Sequence, residues 1–204
     1  MKPKLILIGG GSASGKTYLC KELQFQMGSE VSTITLDNFY VNNTHMTFEE
    51  RTKVNYDHPS SIDDDLLFKK AKELVDGHDI EIPIYDFSKH LRSDKTQPVK
   101  AARYVLVDGI FALYFPKLLE IASLKIFVDA DEDVRLQRRI KRDTLERGRT
   151  KESVLKQFKE QVAPMHNIYI EPNKNNADIV FRNNENNGLD KAAVQNLVIK
   201  ILSL

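Results

Sequence analysis

Short apolar runs alternate with longer amphipathic stretches along most of the chain. Strands covered on both faces form continuous runs rich in Val, Ile and Leu, and such runs lie at residues 4–8, 31–36, 104–107, 124–128 and 177–181. Helical spacing marks the stretches at 16–27, 62–75, 116–121, 134–142, 151–162 and 189–202. This alternation predicts an α/β protein with a doubly wound, five-stranded parallel sheet.

Residues 79–100 follow a different pattern. Apolar residues alternate over 79–87 and again over 96–99, and Pro83 interrupts the first run, which is typical of an antiparallel edge hairpin. We expect a small hairpin that departs from the main sheet within a single domain spanning residues 1–204. The Asn-rich segment 173–187 surrounds the last expected strand and is interpreted as turn chemistry.

The amino-acid composition indicates which kinds of binding partner to expect. The chain has 30 Lys and Arg against 29 Asp and Glu, a net charge of +1, so no overall attraction to nucleic acid or a membrane surface is expected. The first apolar run is short and ends in glycines, which predicts no signal peptide and no membrane span. Cys20 stands alone and is interpreted as a small core residue. Together these features predict a cytoplasmic protein.

The clearest chemical motif follows the first expected strand. Residues 10–17 satisfy G-x-x-x-x-G-K-[ST] between a strand and a helix. Glycines let successive N–H groups converge on an anion, and the helix N-terminus adds partial positive charge. We expect Lys16 to meet the β- and γ-phosphates of a nucleotide and Thr17 to ligate Mg²⁺. The whole nucleotide-binding set is Gly10, Gly11, Ser12, Ala13, Ser14, Gly15, Lys16 and Thr17.

A phosphate-binding loop alone does not distinguish a kinase from a GTPase, an ATPase or a nucleotide sensor. A guanine-reading Asn-Lys-x-Asp motif would follow a late strand. The nearest match, Asn173-Lys174-Asn175-Asn176, lacks the aspartate and precedes its strand. The sequence therefore disfavours a GTPase.

Acidic and basic side chains follow the expected strands. Asp37 ends the second strand, where side chains of a parallel sheet face the ligand crevice, and its carboxylate could accept a hydroxyl proton. The alternative is a turn aspartate bonded to the local backbone. Four arginines are spaced three and four residues apart on one helix, and two more follow it: Arg135, Arg138, Arg139, Arg142, Arg147 and Arg149. The alternative for them is a solvated basic face.

Four further motifs follow the loop in the order found in uridine kinases. They are Asp37-Asn38-Phe39-Tyr40, Tyr56-Asp57-His58-Pro59, Pro83-Ile84-Tyr85-Asp86-Phe87 and Arg139-Ile140-Lys141-Arg142-Asp143. The chain resembles that family from end to end, most closely over residues 8–149. The resemblance implies a P-loop kinase fold with a helical, Arg-rich lid at about residues 133–160. It also implies ATP-dependent phosphorylation of uridine and cytidine at the 5′-hydroxyl to give UMP and CMP, in pyrimidine salvage.

The resemblance assigns the catalytic groups. Asp37 is expected to orient or deprotonate the 5′-hydroxyl. Arg139, Arg142 and Arg147 are expected to neutralise the transferring phosphoryl group, for which planar guanidinium groups are suited. Asp108 matches an acidic residue that acts on Mg²⁺ or its waters, although many relatives have Glu there. ATP is the expected donor, with GTP left open, and the family suggests a homo-oligomer, either a dimer or a tetramer.

The resemblance also assigns the nucleoside contacts. Asp57 is expected to hold the two ribose hydroxyls, and the alternative is an Asx turn before His58. Tyr85 and His90 are expected to read the edge of the pyrimidine, and the alternatives are a core tyrosine and a loop histidine. Other expected nucleoside contacts, less specific in kind, are Tyr40, Tyr56, Arg139, Arg149 and Gln157.

Two rival functions stay open. Related P-loop kinases act on pantothenate, ribulose 5-phosphate, glycerate or nicotinamide riboside, and Tyr85 with His90 argues against them. A nucleotide-binding regulatory module without turnover is the second rival, and Asp108 in place of Glu is the feature that favours it.

Overall fold

The computed structural model describes residues 2–184 and 188–204. Its strands are β1 (Lys4–Gly10), β2 (Val31–Thr35), β3 (Ile80–Asp86), β4 (Leu91–Val99), β5 (Tyr104–Asp108), β6 (Leu124–Asp129) and β7 (Ile179–Arg182). Five of them form one parallel sheet in the order β2-β5-β1-β6-β7, and β3 pairs with β4 in a separate antiparallel hairpin. The predicted sheet and hairpin are thus confirmed.

The helices are α1 (Lys16–Met27), α2 (Phe48–Arg51), α3 (Asp64–Val75), α4 (Pro116–Ile121), α5 (Glu132–Glu146), α6 (Lys151–Gln157), α7 (Ala163–Met165) and α8 (Lys191–Leu202). Short 3-10 turns lie at Gly28–Glu30, Leu36–Phe39, Pro59–Ser61 and Glu171–Asn176. Among residues 2–184 and 188–204, no helix combines the length and the apolar character that a membrane crossing requires.

Helices cover both faces of the sheet, as the doubly wound prediction requires. Alternate residues of β1 point to opposite faces. Leu5 and Leu7 belong to a core that includes α3 and α4, whereas Ile6 and Ile8 belong to a second core with α1 and α8. Cys20 is buried in this second core, as expected.

The hairpin is longer than the sequence indicates. Its second strand begins at Leu91 instead of residue 96, because Leu91 and Arg92 pair with Asp86 and Tyr85, although the polar residues 92–95 carry no apolar alternation. The register shifts between Pro83 and Tyr85, where proline offers no N–H to the ladder. Arg92 ties the hairpin to the body of the protein, donating to Asp63 Oδ2 at 3.0 Å and to the Phe39 carbonyl at 3.2 Å.

Two helix boundaries differ from the sequence-based prediction for local reasons. α3 begins at Asp64 instead of residue 62, because the Asp63 carboxylate caps it by accepting from Leu66 N at 3.1 Å. The helix expected over 151–162 widens into π turns at Phe158–Val162 and His166–Ile170. Pro164 lies between these turns, and a wider helix accommodates a residue that has no N–H and crowds the preceding turn.

The remaining bounds shift by a few residues. The helix expected over 134–142 spans Glu132–Glu146, and the strand expected over 177–181 spans Ile179–Arg182. The helix expected over 189–202 begins at Lys191, after Asp190 caps it. In the Asn-rich segment, residues 173–176 form part of a 3-10 turn, while residues 185–187 lie outside the described part of the chain.

Candidate active site

The site lies at the carboxyl edge of the parallel sheet. From β1 the chain crosses to β2 on one side of the sheet, and β6 and β7 lie on the other side, so β1 borders the switch point where such sheets bind ligands. A cavity of about 200 Å³ opens there. Its polar lining includes Lys16, Thr17, Asp37, Asp108 and Arg142.

The phosphate loop adopts a conformation that its sequence makes possible. Gly10 has a φ of +136° and Gly15 a φ of +104°, both in a region that favours glycine. A Cβ on Gly10 would lie 2.3 Å from the Val128 carbonyl oxygen, so a side chain there would clash with β6. Lys16 is buried and donates from Nζ to the Gly11 carbonyl at 2.8 Å. The shape of the loop is therefore set by its glycines and by the contact of Lys16 with Gly11.

Thr17 and Asp108 form a pair of oxygen ligands beside the loop. Thr17 Oγ1 donates to Asp108 Oδ2 at 2.7 Å, across 91 residues of sequence. Asp108 Oδ1 is buried and has no hydrogen-bond partner within residues 2–184 and 188–204. Burial raises the pKa of Asp108, and the Lys16 charge and the Thr17 hydroxyl oppose that rise. A hydroxyl and an unsatisfied carboxylate oxygen fit the hard oxygen ligation of Mg²⁺.

Asp37 lies in the 3-10 turn after β2 and faces the same cavity as Lys16. Within residues 2–184 and 188–204, the Asp37 carboxylate makes no hydrogen bond to the local backbone. The structure therefore does not support the alternative that Asp37 is a turn aspartate. Burial raises the pKa of Asp37 and the charge of Asp108 raises it further, whereas the Lys16 ammonium lowers it. The structure thus places a carboxylate next to the anion cradle.

Aromatic rings pack together between the 3-10 turn that follows β2 and the hairpin, where Tyr40 and Tyr85 belong to the buried core and are 8% and 5% exposed. The Tyr40 ring lies 5.1 Å from that of Tyr56 and 5.0 Å from that of Tyr85. Tyr56 stacks on His90 at 5.3 Å with an interplanar angle of 19°. The Tyr85 hydroxyl is buried without a hydrogen-bond partner in the described residues. Burial and the nearby Arg51 lower the pKa of His90, so its imidazole is neutral near pH 7.

Asp57 directly follows Tyr56 and lies close enough to Tyr40 of this aromatic cluster for its charge to act on the tyrosine. The local turn is made by Asn55, whose Oδ1 accepts from Asp57 N at 3.0 Å. No hydrogen bond to the Asp57 carboxylate is found in residues 2–184 and 188–204. Burial raises the pKa of Asp57, while the charges of Arg139 and Arg142 lower it. The alternative of an Asx turn made by Asp57 is therefore wrong.

The four arginines of α5 do not form a solvated basic face. Arg135 and Arg139 are only 3% and 6% exposed. Arg139 Nη1 donates to Ser12 Oγ of the phosphate loop at 2.9 Å, and its Nη2 donates to Gln157 Oε1 at 3.0 Å. Arg149 Nη1 donates to that same oxygen. Arg142 lines the cavity, and the Arg147 guanidinium lies 5.8 Å from the Phe87 ring of the hairpin segment.

Several residues of the site carry no local sequence signal. Asn183, from the Asn-rich segment, donates from Nδ2 to the Ser14 carbonyl of the loop at 2.7 Å, as does Arg138 Nη1 at 3.3 Å. His166 is buried beneath Gly11, where an added Cβ would lie 2.9 Å from its Cε1. Burial and the charge of Arg135 lower the pKa of His166 to about 4. The loop is therefore braced by residues more than 120 positions away in sequence.

A glycine-lined anion cradle at the switch point, facing a carboxylate across one cavity, defines a P-loop phosphotransferase. Comparison with known proteins narrows this class. Residues 5–189 match the Phosphoribulokinase / Uridine kinase family. The chain is 43% identical over 201 residues to a uridine kinase of Staphylococcus haemolyticus, covering 98% of this chain and 96% of the relative. It is 44% identical over 204 residues to a uridine kinase of Macrococcus caseolyticus, covering 100% and 98%.

The chain belongs to the phosphoribulokinase/uridine kinase family. Among solved structures, it is similar to a phosphoribulokinase from Rhodobacter spheroides, with a TM-score of 0.64 and 16% sequence identity. That similarity covers 89% of this chain and 70% of the other, and it supports the fold alone.

Proposed function

We propose that this protein transfers the γ-phosphoryl group of ATP to the 5′-hydroxyl of uridine and of cytidine, giving UMP and CMP for pyrimidine salvage. One observation carries the proposal. Asp37 borders the cavity of Lys16, and three residues further along the chain Tyr40 begins the aromatic cluster that includes Tyr56, Tyr85 and His90. A nucleoside held by that cluster would place its 5′-hydroxyl between the Asp37 carboxylate and the γ-phosphate of ATP. The two uridine kinase relatives support the same acceptor.

The proposed reaction is an in-line displacement. The 5′-oxygen forms a bond to the γ-phosphorus, the bond from that phosphorus to the bridging oxygen breaks, ADP leaves, and the hydroxyl proton passes to Asp37. Lys16 and the guanidinium groups of Arg139, Arg142 and Arg147 neutralise charge on the phosphates as it spreads over the equatorial oxygens. Thr17 and Asp108 would hold Mg²⁺, which when bound offsets phosphate charge.

The aromatic cluster supplies nucleoside recognition in this proposal. Tyr85 has an unsatisfied buried hydroxyl, and His90 is a neutral imidazole, so each can donate or accept at the pyrimidine edge. That flexibility tolerates the 4-oxo group of uracil and the 4-amino group of cytosine. Tyr40 and Tyr56 enclose the base, and Gln157 holds Arg139 and Arg149 toward the nucleoside.

A panel of acceptors tests the proposal. Purified protein with Mg-ATP is expected to make UMP from uridine and CMP from cytidine, and no phosphorylated product from pantothenate, ribulose 5-phosphate, glycerate or nicotinamide riboside. Product identity is read by chromatography and mass spectrometry. A parallel series with GTP tests whether GTP also serves as the donor, and sedimentation of the same sample tests the homo-oligomer that the family resemblance implies. A product only from one of the other acceptors would refute the uridine assignment.

Asp57→Asn is expected to raise the KM for uridine about tenfold or more, because two ribose hydroxyls lose a charged acceptor, and such hydrogen bonds contribute about 1.5–3 kcal/mol. The ratio of kcat/KM for uridine to kcat/KM for 2′-deoxyuridine should decrease in this variant, because the lost hydrogen bonds involve the ribose hydroxyls. Asp94→Asn is the matched control, since Asp94 is exposed on β4 of the hairpin. An unchanged ribose preference in Asp57→Asn would remove Asp57 from this role.

A further inference from the structure

Asp143 lies near the end of α5 and is fully buried among arginines. Its Oδ1 accepts a hydrogen bond from Arg142 Nε at 2.8 Å and lies 3.7 Å from Arg147 Nε. Its Oδ2 lies 3.5 Å from Arg139 Nε and 3.7 Å from Arg149 Nη1. One carboxylate thus faces four guanidinium groups, which come from α5 and from the segment that follows it.

The same arginines reach the site with their outer nitrogens. Arg139 uses Nη1 and Nη2 for Ser12 of the loop and for Gln157. Arg142 lines the phosphate cavity, and Arg147 lies against the Phe87 ring of the hairpin segment. Three of the four turn Nε toward Asp143, so the Nη pair of each fork points away from that carboxylate, and in Arg139 this pair reaches Ser12 and Gln157.

Electrostatics explains why such an anchor is needed. Four cations crowded at the end of one helix repel one another, and long arginine side chains without an anchor would separate into water. Asp143 Oδ2 has no hydrogen bond within residues 2–184 and 188–204, although two guanidinium groups lie within 3.7 Å. The carboxylate therefore holds the cluster together through charge at both oxygens, while only Oδ1 is bonded.

We propose that Asp143 is the positioning residue of the lid, which fixes the arginines so that their outer nitrogens meet the transferring phosphoryl group. This inference rests on the proposed phosphoryl transfer. It assigns Asp143 no contact with ATP or nucleoside. The benefit is preorganisation, because guanidinium groups already in place cost no reorientation when charge develops in the transition state.

The test compares Asp143→Asn, which keeps the shape and removes the charge, with Asp143→Glu, which keeps the charge one methylene away. Glu146→Gln is the control, because it removes one negative charge from an exposed position of the same helix. We expect kcat to fall about ten- to a hundredfold in Asp143→Asn, since one well-placed arginine alone is worth about a thousandfold. Asp143→Glu should lose about three- to tenfold, and Glu146→Gln less than twofold.

Equilibrium binding of ATP and the thermal midpoint separate positioning from a merely structural role. The dissociation constant for ATP should change less than about threefold in both Asp143 variants, because the phosphate loop keeps its own contacts. If Asp143→Asn does not fold, Asp143→Glu carries the test by the same split between kcat and ATP binding. A kcat within threefold of wild type in Asp143→Asn, or losses of ATP binding that match the losses of kcat, would overturn the proposal.

A failure of the proposed function would be detected in a different measurement from a failure of the Asp143 proposal. If the proposed function is wrong, the wild-type protein will form product from an acceptor other than a pyrimidine nucleoside. The variants are then compared with one another using that acceptor as the substrate. Failure of the Asp143 proposal shows only in the ratios among variants.

Discussion

Asp37→Asn is expected to lower kcat for uridine about a thousandfold while leaving the dissociation constant for ATP within about threefold of wild type. A positioned general base contributes about 10²–10⁴-fold, and the amide cannot accept the 5′-hydroxyl proton. The carboxamide has nearly the same shape, so the cavity that Asp37 shares with Lys16 is kept. Steady-state kinetics and calorimetric titration of ATP measure the two quantities.

The pH profile adds a second readout for the same residue. Burial and the charge of Asp108 raise the pKa of Asp37 above its ordinary value, and the base acts only when it is deprotonated. Therefore kcat/KM for uridine should fall as pH decreases through this raised pKa, and Asp37→Asn should lose that acidic limb. Asp94→Asn, on the hairpin surface, should keep the wild-type profile. An equal loss of ATP binding and turnover in Asp37→Asn would exclude Asp37 as the base.

Lys16→Met is expected to lower kcat/KM for ATP about a thousandfold or more. Methionine preserves the length of the side chain but removes the charge that faces the phosphates, and stabilisation of developing charge by one preorganised donor is worth about 10²–10³-fold in kcat alone. The charge of Lys16 also lowers the pKa of Asp37 and the pKa of Asp108, in each case more than any other cation does. The substitution Lys16→Met therefore also removes the positive charge that balances the carboxylates of Asp37 and Asp108.

Lys21→Met is the matched control for this substitution, because Lys21 is exposed on the same helix, α1. Its kinetics should stay within twofold of wild type. Circular dichroism and the thermal midpoint check that both variants are folded. A Lys16→Met protein that keeps kcat/KM for ATP within tenfold would contradict the phosphate role of the loop.

The fold by itself does not exclude a rival kinase function, since a phosphoribulokinase has a similar fold. The similarity to a phosphoribulokinase structure concerns architecture. Tyr40, Tyr56, Tyr85 and His90 form one aromatic cluster, which supports the proposed nucleoside over a sugar phosphate or a small acid. Nicotinamide riboside also carries a flat ring, and the panel of acceptors distinguishes it from uridine. The regulatory rival rested on Asp108 in place of Glu, and the shorter side chain still reaches Thr17 Oγ1 at 2.7 Å.

Much of the fold was predictable because its signals are local. Apolar runs for strands and 3.6-residue spacing for helices depend on residues a few positions apart, and the phosphate loop is eight consecutive residues. The order of motifs along the chain placed Asp37, Asp57, Tyr85 and His90 as candidates. Boundaries were less predictable where a cap or a proline decided them, as at Asp63 and Pro164.

The amino-acid sequence supplies the chemical groups of the site: a phosphate-binding loop, carboxylates that follow strands, and arginines further along the chain. Which of these groups contact one another depends on how the chain folds. Asn55 makes the local turn and leaves the Asp57 carboxylate available, Asn183 braces Ser14 from 169 residues away, and Asp143 gathers four arginines. The physical reason is that buried polar groups are satisfied by whichever partners the packed sheet brings near, and that choice is not written in any local pattern.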